Sequence, residues 1–412
     1  PSLCERPPLG LEPLEGSGGG FEGVTPTLDA RRLSALRAIS MRILHTSDWH
    51  LGRLFHQVHL TEDQAHVLEE FVTLAREEKP DAIVIAGDLY DRAVPPPEAV
   101  ELLDDVLTRL TLDLGIPTLA IAGNHDSAER VGFAGKLLAE RGLYLVGTVA
   151  QQGAITLADV HGEVDFVALP YASPEAVRSA LRDDAVRGHE QALAAQLAQV
   201  AGSATPGRRR VAIAHAFVEG ASHSESERPL TVGGTGCVSA ALFEGFDYVA
   251  LGHLHRPQQV DAKARYAGSL LPYSFSEVDH SKSVSMVELS ADGSVSVEEI
   301  ALSPRRVMRV IEGAFDDLLM HPASDDYVLA RLSDREPILD AMARLRRVYP
   351  NALQIERPAL SRGADGPLPA GQDHRKVEPL DLFETFYQHV AGEPLNEEQR
   401  QEVGSAIEEA TR

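Results

Sequence analysis

Apolar runs that end in polar side chains recur along this chain. Residues 41–46 (MRILHT) lead into Asp48 and His50, and residues 82–87 (AIVIAG) lead into Asp88. Residues 118–123 (TLAIAG) precede Asn124, His125 and Asp126; residues 211–214 (VAIA) end in His215, and residues 248–252 (YVALG) in His253 and His255. Short runs rich in Val, Ile, Leu and Ala predict buried strands of the kind found in covered parallel sheets. Elsewhere the apolar spacing lengthens to that of helices. Val67, Leu68, Phe71, Val72 and Leu74 predict a helix over 61–78, and further helices are expected over 98–110 and 131–142. Ser173-Pro174 reads as the cap and first turn of a helical, Ala-rich stretch reaching Val200, with Gly188 a break. Short strands are expected at 143–146, 154–157 and 164–168, and a hairpin at 284–288 and 295–301 turns through Asp292-Gly293.

The two ends of the chain follow different patterns. Residues 1–40 are rich in Gly, Pro and Glu and read as a disordered leader; Met41 is either the true start or the first residue after a native extension. Beyond Pro304, residues 306–313, 326–332 and 353–355 read as strands and 338–348 as a helix. Residues 361–378 have a linker's Gly and Pro content. Leu380, Phe383, Phe386, Tyr387 and Val390 then recur at helical spacing, and Asn396 with Gln399 has the form of a capping box opening a second helix.

Composition narrows the classes. With 412 residues and 43% apolar content the chain has room for two or three domains. A formal charge of -24 argues against nonspecific adhesion to nucleic acid, although bound divalent cations invert the local field of an acidic site. Cys4 and Cys237 are the only cysteines, so no disulfide framework is expected and a reducing cytoplasm fits. No run approaches the ~18 apolar residues of a membrane span.

The candidate chemistry stands where the strands end. In open α/β sheets ligands bind beyond the carboxyl ends of strands. An Asp-x-His pair there offers an oxygen and an imidazole to a first-row cation, although Asp48 and His50 alone read more readily as a capping residue and a surface histidine. The same bland reading applies to each polar cluster singly. Five such clusters, each at the end of an apolar strand, make one shared site the simpler account. His56, His59 and His66 lack that context and read as loop or solvent-facing residues.

The five motifs in this order resemble the calcineurin-like metallophosphoesterase superfamily over residues 41–302. The opening ILHTSDWHLG, the GDLYDR run and the helical tail are most similar to its SbcD family of DNA nuclease subunits. The resemblance implies an α/β fold, a β-sandwich flanked by helices, with a small α/β capping domain over 303–360 that helps hold DNA. It implies two divalent metal ions, manganese being the best match to that family, one on Asp48, His50, Asp88 and His255 and the other on Asp88, Asn124, His215 and His253. His125 would contact the phosphate or leaving group, with Asp126 fixing its tautomer. At Asp91 some relatives carry a phosphate-touching histidine, which puts that contact in doubt, with Arg92 a possible replacement and a solvated Asp91-Arg92 pair the alternative.

As partners the resemblance implies DNA, the SbcC ATPase bound through the hairpin 379–412, and a homodimer formed by helices 98–110 and 131–142, together a heterotetramer. The basic triplet Arg208 to Arg210 reads as a solvated loop or a phosphate contact, and the polar loop 220–236 as a border of the substrate groove. The activity expected is a metal-dependent exonuclease and endonuclease of DNA repair and recombination. A phosphodiesterase for small esters and a non-catalytic scaffold bridging DNA ends are the rival readings.

Overall fold

The computed structural model describes residues 40–201, 205, 207–227, 236–358, 379–391 and 394–410. The expected leader, apart from Ser40, and the expected linker lie outside the described residues. Strand β1 (Ser40–Thr46) is followed by α1 (Thr61–Glu78), β2 (Ala82–Ile85), α2 (Pro97–Thr108), β3 (Thr118–Ile121), β4 (Leu143–Val146), β5 (Gly153–Asp159) and β6 (Gly162–Leu169). Helices α3 (Pro174–Leu181) and α4 (His189–Ala201) lead to β7 (Arg209–His215), β8 (Tyr248–Gly252), β9 (Gln258–Gln259), β10 (Ala264–Tyr266), β11 (Ser283–Ser290) and β12 (Val295–Ala301).

These strands form two six-stranded sheets, ordered β12-β11-β1-β2-β3-β4 and β9-β10-β8-β7-β6-β5. Strands β1, β2, β3 and β4 run parallel, as do β6, β7, β8 and β10. Parallel strands covered on both faces are buried at every position and read as near-continuous apolar runs. Every residue of β1, β2 and β3 is accordingly buried. Their alternation sends Met41, Ile43 and Val84 between the sheets, against Phe166, Ile213 and Tyr248. Leu44, Ile83 and Ile85 face the other way, under Val67 and Phe71 of α1 and Leu103 of α2. The two layers bring the carboxyl ends of β1, β2, β3, β7 and β8 to one edge of the sandwich.

A third sheet is wholly parallel: β13 (Met308–Gly313), β14 (Tyr327–Leu332) and β15 (Ala352–Glu356), with short helices α5 (Phe315–Leu319) and α6 (Ala341–Leu345). It has its own core around Phe315, Val328 and Tyr349, while Met308 and Tyr327 enter the core beneath α1. Beyond it come α7 (Pro379–Ala391) and α8 (Glu397–Ala410). The capping box expected at α8 is made: Asn396 N–H donates to Gln399 Oε1 at 3.0 Å, and Gln399 N–H donates to Asn396 Oδ1 at 2.9 Å.

Three expectations are corrected. The helix expected over 131–142 is two short pieces, Ala128–Val131 and Gly135–Ala139, because Ala134 adopts φ 56° and the Gly132 carbonyl accepts from Gln151 Nε2 at 2.8 Å. The helix expected over 338–348 shortens to α6, entered through Asp340 at φ 51°. The basic triplet is not a loop free in solvent. Arg209 is buried against Asp159 of β5, Arg208 pairs with Asp165 of β6, and the Arg210 guanidinium lies 4.5 Å from the Phe246 ring centre.

Candidate metal centre

Four of the seven ligand candidates leave their strands on turns the backbone would not choose by itself. Asp48 (φ 51°), His50 (φ 45°), Asp88 (φ 50°) and His253 (φ 108°) all have positive φ. Such conformations cost on the order of 1–3 kcal/mol each and persist where surrounding structure enforces them. Here hydrogen bonds between neighbouring strand ends do so: Asp48 N–H donates to Gly87 O and His50 N–H to Asp88 O, both at 3.0 Å. The His253 N–H donates to both carboxylate oxygens of Asp48, at 3.0 and 3.1 Å.

The side chains converge in two groups that share Asp88. His50 Nε2 lies 3.1 Å from His255 Nε2 and 3.5 Å from Asp88 Oδ2, and Asp48, His50 and His255 bring ligand atoms within 4.8 Å of one another. On the other side His215 Nε2 is 3.5 Å from Asp88 Oδ2 and 2.9 Å from Asn124 Oδ1, which is also 3.0 Å from His253 Nδ1. Two donor atoms each about 2.1 Å from one first-row cation stand about 3.0–3.4 Å apart at octahedral or tetrahedral angles. The observed spacings, 2.9–3.5 Å, straddle that range.

The tautomers point the same way. His215 Nδ1–H donates to Ala86 O at 2.9 Å, so Nε2 is the nitrogen that faces Asn124 Oδ1 and Asp88. With no cation bound it carries a proton there: burial opposes the charge, but Asp88 outweighs it and the pKa is pushed up to about 9. Two acceptors face each other favourably only across a cation or a proton. His255 Nδ1 stands 2.7 Å from Ser226 Oγ and 3.2 Å from Glu277 Oε1, the carboxylate–histidine support common behind metal ligands. Glu277 is held in turn by Lys282 Nζ, at 2.5 Å from Oε2.

Electrostatics separate the donors. Burial pushes the Asp48 carboxyl up to about 6 and holds His50 and His253 well below the usual imidazole value, so both rings are neutral ligands. Burial also opposes charge on Asp88, but the adjoining His215 imidazolium outweighs that and keeps Asp88 well below the carboxylate range. Asp88 is therefore the fixed negative charge between the two groups. The all-oxygen and imidazole donor set, with no thiolate, suits divalent first-row ions.

His125 and Asp126 sit beside this cluster in roles partly different from those expected. One ring nitrogen of His125 lies within 4.8 Å of the His50 and Asp88 donor atoms. Its Nδ1 is 2.8 Å from the Asp91 carbonyl oxygen, so Asp91 fixes the tautomer rather than Asp126. The Asp126 carboxylate is engaged with the backbone N–H groups of Gly123, Leu89 and Tyr90, at 2.9–3.0 Å, because the turns after β2 and β3 leave those donors otherwise unmet. Asp91 itself pairs with Arg53 at 2.7 Å and stands 3.6 Å from His50 Nδ1. The exposed histidines His56, His59 and His66 stay outside the cluster.

Sequence reasoning missed Gln64, Tyr273, Ser226, Glu277 and Lys282. Gln64 Nε2 donates to His50 O at 2.7 Å, and Tyr273 Oη donates to Trp49 O at 2.5 Å. None carries a local signal: Gln64 sits in a helix face that reads as polar, and the others in a loop region with no motif of its own.

A calcineurin-like phosphoesterase family model matches residues 41–257, and a model described as the Type 5 capsule protein repressor C-terminal domain, of the SbcD type, matches residues 304–391. Among solved structures, TT1561 of Thermus thermophilus is 14% identical, covering 63% of this chain and 99% of its own, with a TM-score of 0.37. GAP50, the anchor in the inner membrane complex of Plasmodium, is 11% identical over 77% of this chain and 96% of its own, TM-score 0.37. A dimetal phosphatase from Danio rerio is 14% identical over 64% of this chain and 100% of its own, again with a TM-score of 0.37. Weight rests on the family match and the sheet topology rather than on these distant likenesses. With its five ligand-bearing strand ends at one edge of a β-sandwich, and with more than half its length matched, the chain belongs to the calcineurin-like phosphoesterases and carries a C-terminal region of the SbcD type.

Proposed function

We propose that the chain is a DNA nuclease that hydrolyses phosphodiesters at a centre for two divalent cations, manganese being the ion used, as exonuclease on duplex ends and endonuclease on hairpins or single strands. The observation carrying this reading is the joint presence of the two-group donor set and the SbcD-type C-terminal match in one chain. Asp48, His50, Asp88 and His255 would hold one ion and Asp88, Asn124, His215 and His253 the other. The ion pair supplies Lewis acidity toward the phosphoryl oxygens and a nucleophile drawn from water at neutral pH.

The chain's own residues do the rest. Asp88 sets the spacing of the two ion positions. His125, with Nδ1 committed to the Asp91 carbonyl, exchanges its proton at Nε2 and delivers it to the leaving oxygen. Asp126 is a positioning residue that ties the turns after β2 and β3 together.

The wider reading is of a cytoplasmic repair and recombination nuclease working with the SbcC ATPase. Residues 379–412 dock on SbcC, and the third sheet, 303–360, helps to hold DNA. A homodimer forms through α2 with the segments flanking it and the segment after β3, where Val94, Leu112, Phe133 and Leu137 are 60–78% exposed. No helix among the described residues is long and apolar enough to cross a membrane.

The test is digestion of end-labelled linear duplex by the purified chain with manganese, magnesium or chelator, beside a chromogenic phosphodiester. Degradation of DNA only with metal, lost in Asp88→Asn, is the expected result. Hydrolysis of the small ester with no DNA cleavage, even with SbcC added, would favour the small-substrate reading instead.

A further inference from the structure

We propose that the third sheet controls the first ion position through a two-residue latch at the start of α1. Asp63 is its contact and Gln64 the positioning residue for His50. The proposal rests on the two-ion reading above.

Gln64 is fully buried, and its amide organises the segment that carries His50. Nε2 donates to His50 O at 2.7 Å and to Trp49 O at 3.0 Å, while Oε1 accepts from Gly52 N–H at 3.1 Å. Residues 47–50 have no regular structure, and His50 is held at φ 45°. One side chain thus fixes the loop from which an imidazole donor projects.

The preceding residue faces elsewhere, since consecutive helical positions lie about 100° apart around the axis. Asp63, only 2% exposed, accepts from Tyr327 Oη at 2.7 Å, and both its oxygens lie 3.0 Å from Arg306 Nη1. Tyr327 opens β14 and Arg306 precedes β13, so both partners belong to the third sheet. A second contact reaches the same ion position: the turn Phe275–Glu277 packs against β13, and Glu277 supports His255. The supports of the other position, Ala86 O behind His215 and Asp48 behind His253 N–H, lie within the sandwich. A shift of the third sheet therefore loads the first ion position directly and reaches the other only through Asp48 and the shared Asp88.

The experiment is a manganese titration of the full chain after chelator stripping, read by calorimetry and by the resonance signal of free Mn2+. Wild type should take up two ions. Arg306→Met should weaken one binding step about tenfold and leave the other within about twofold, the size expected for losing a support behind metal ligands. Combining it with Gln64→Ala should add little beyond Gln64→Ala alone, since the two act in series. Tyr327→Phe, which removes one hydroxyl, should weaken the same step by a smaller factor and serves if Arg306→Met does not fold. Unchanged steps in a variant whose unfolding midpoint has dropped, or equal weakening of both steps, would overturn the latch. A wild-type chain taking up fewer than two ions would overturn the two-ion reading itself.

Discussion

At Gly123 the donor cluster leaves no room for a side chain. A Cβ there would stand 2.1 Å from Asp88 Oδ1 and 2.3 Å from the Asp88 backbone nitrogen. From sequence this glycine reads as a turn former; in the fold it is a spacer that lets β3 pass behind the shared carboxylate. Gly123→Ala must displace Asp88, and a displacement of order 1 Å at a reacting centre costs roughly 100-fold in rate. We expect manganese-dependent hydrolysis of a chromogenic diester to fall by about that factor, with cooperative unfolding retained; an unimpaired rate would remove Asp88 from the centre. Asp91 shows the complementary limit of sequence reading. The expectation left the phosphate contact at this position in doubt and weighed a solvated Asp91-Arg92 pair, whereas the Asp91 carbonyl orients His125 and its carboxylate faces Arg53.

Element by element, caps and apolar spacing were legible and interruptions were not. Helix α1 has the bounds expected from its apolar face, and the Ser173 cap of α3 forms as expected, Oγ accepting from Ala176 N–H at 3.2 Å. The break at 132–134 depends on Gln151, which is distant in sequence, and no local pattern announces it. The tail follows its local code, with Phe383 stacked on Tyr387 while Phe386 is 59% exposed. A two-helix hairpin is too small to bury such a face alone. Deleting residues 379–412 should therefore abolish co-purification with SbcC and leave the manganese-dependent diesterase rate unchanged; unchanged co-purification would refute the docking role.

Over the whole molecule, the interior between the sheets makes stability depend on pH through His45. Its Nδ1 lies 2.9 Å from Tyr248 Oη, and burial pushes the imidazole down from 6.5 to about 3. The folded form thus refuses a proton that the unfolded chain accepts below 6.5. This contribution to stability is intact above pH 6.5 and is lost as pH falls toward 3. His45→Gln should flatten the acid limb, so that wild type loses on the order of 3 kcal/mol more than the variant between pH 7 and pH 4. Urea unfolding in chelator at both pH values reads this, and parallel acid limbs would contradict it. The exposed apolar face carries a second expectation: Phe133→Glu with Leu137→Glu should convert a dimer to a monomer in sedimentation, and a wild type already monomeric would dispose of the proposed interface.

The sequence by itself determined the strand ends, their order and the donor types they carry, because strand burial and turn chemistry are written in residues close along the chain. It also carried the helix periodicity and the α8 cap, both local. Only the tertiary structure decided which supports stand behind each donor: Gln64 behind His50, Glu277 behind His255 and Asp91 behind His125. It likewise turned Arg209 inward to Asp159 and joined the third sheet to α1 through Asp63. Those pairings depend on residues tens to hundreds of positions apart meeting in space, and hydrogen-bond geometry between distant side chains has no signature in composition or spacing.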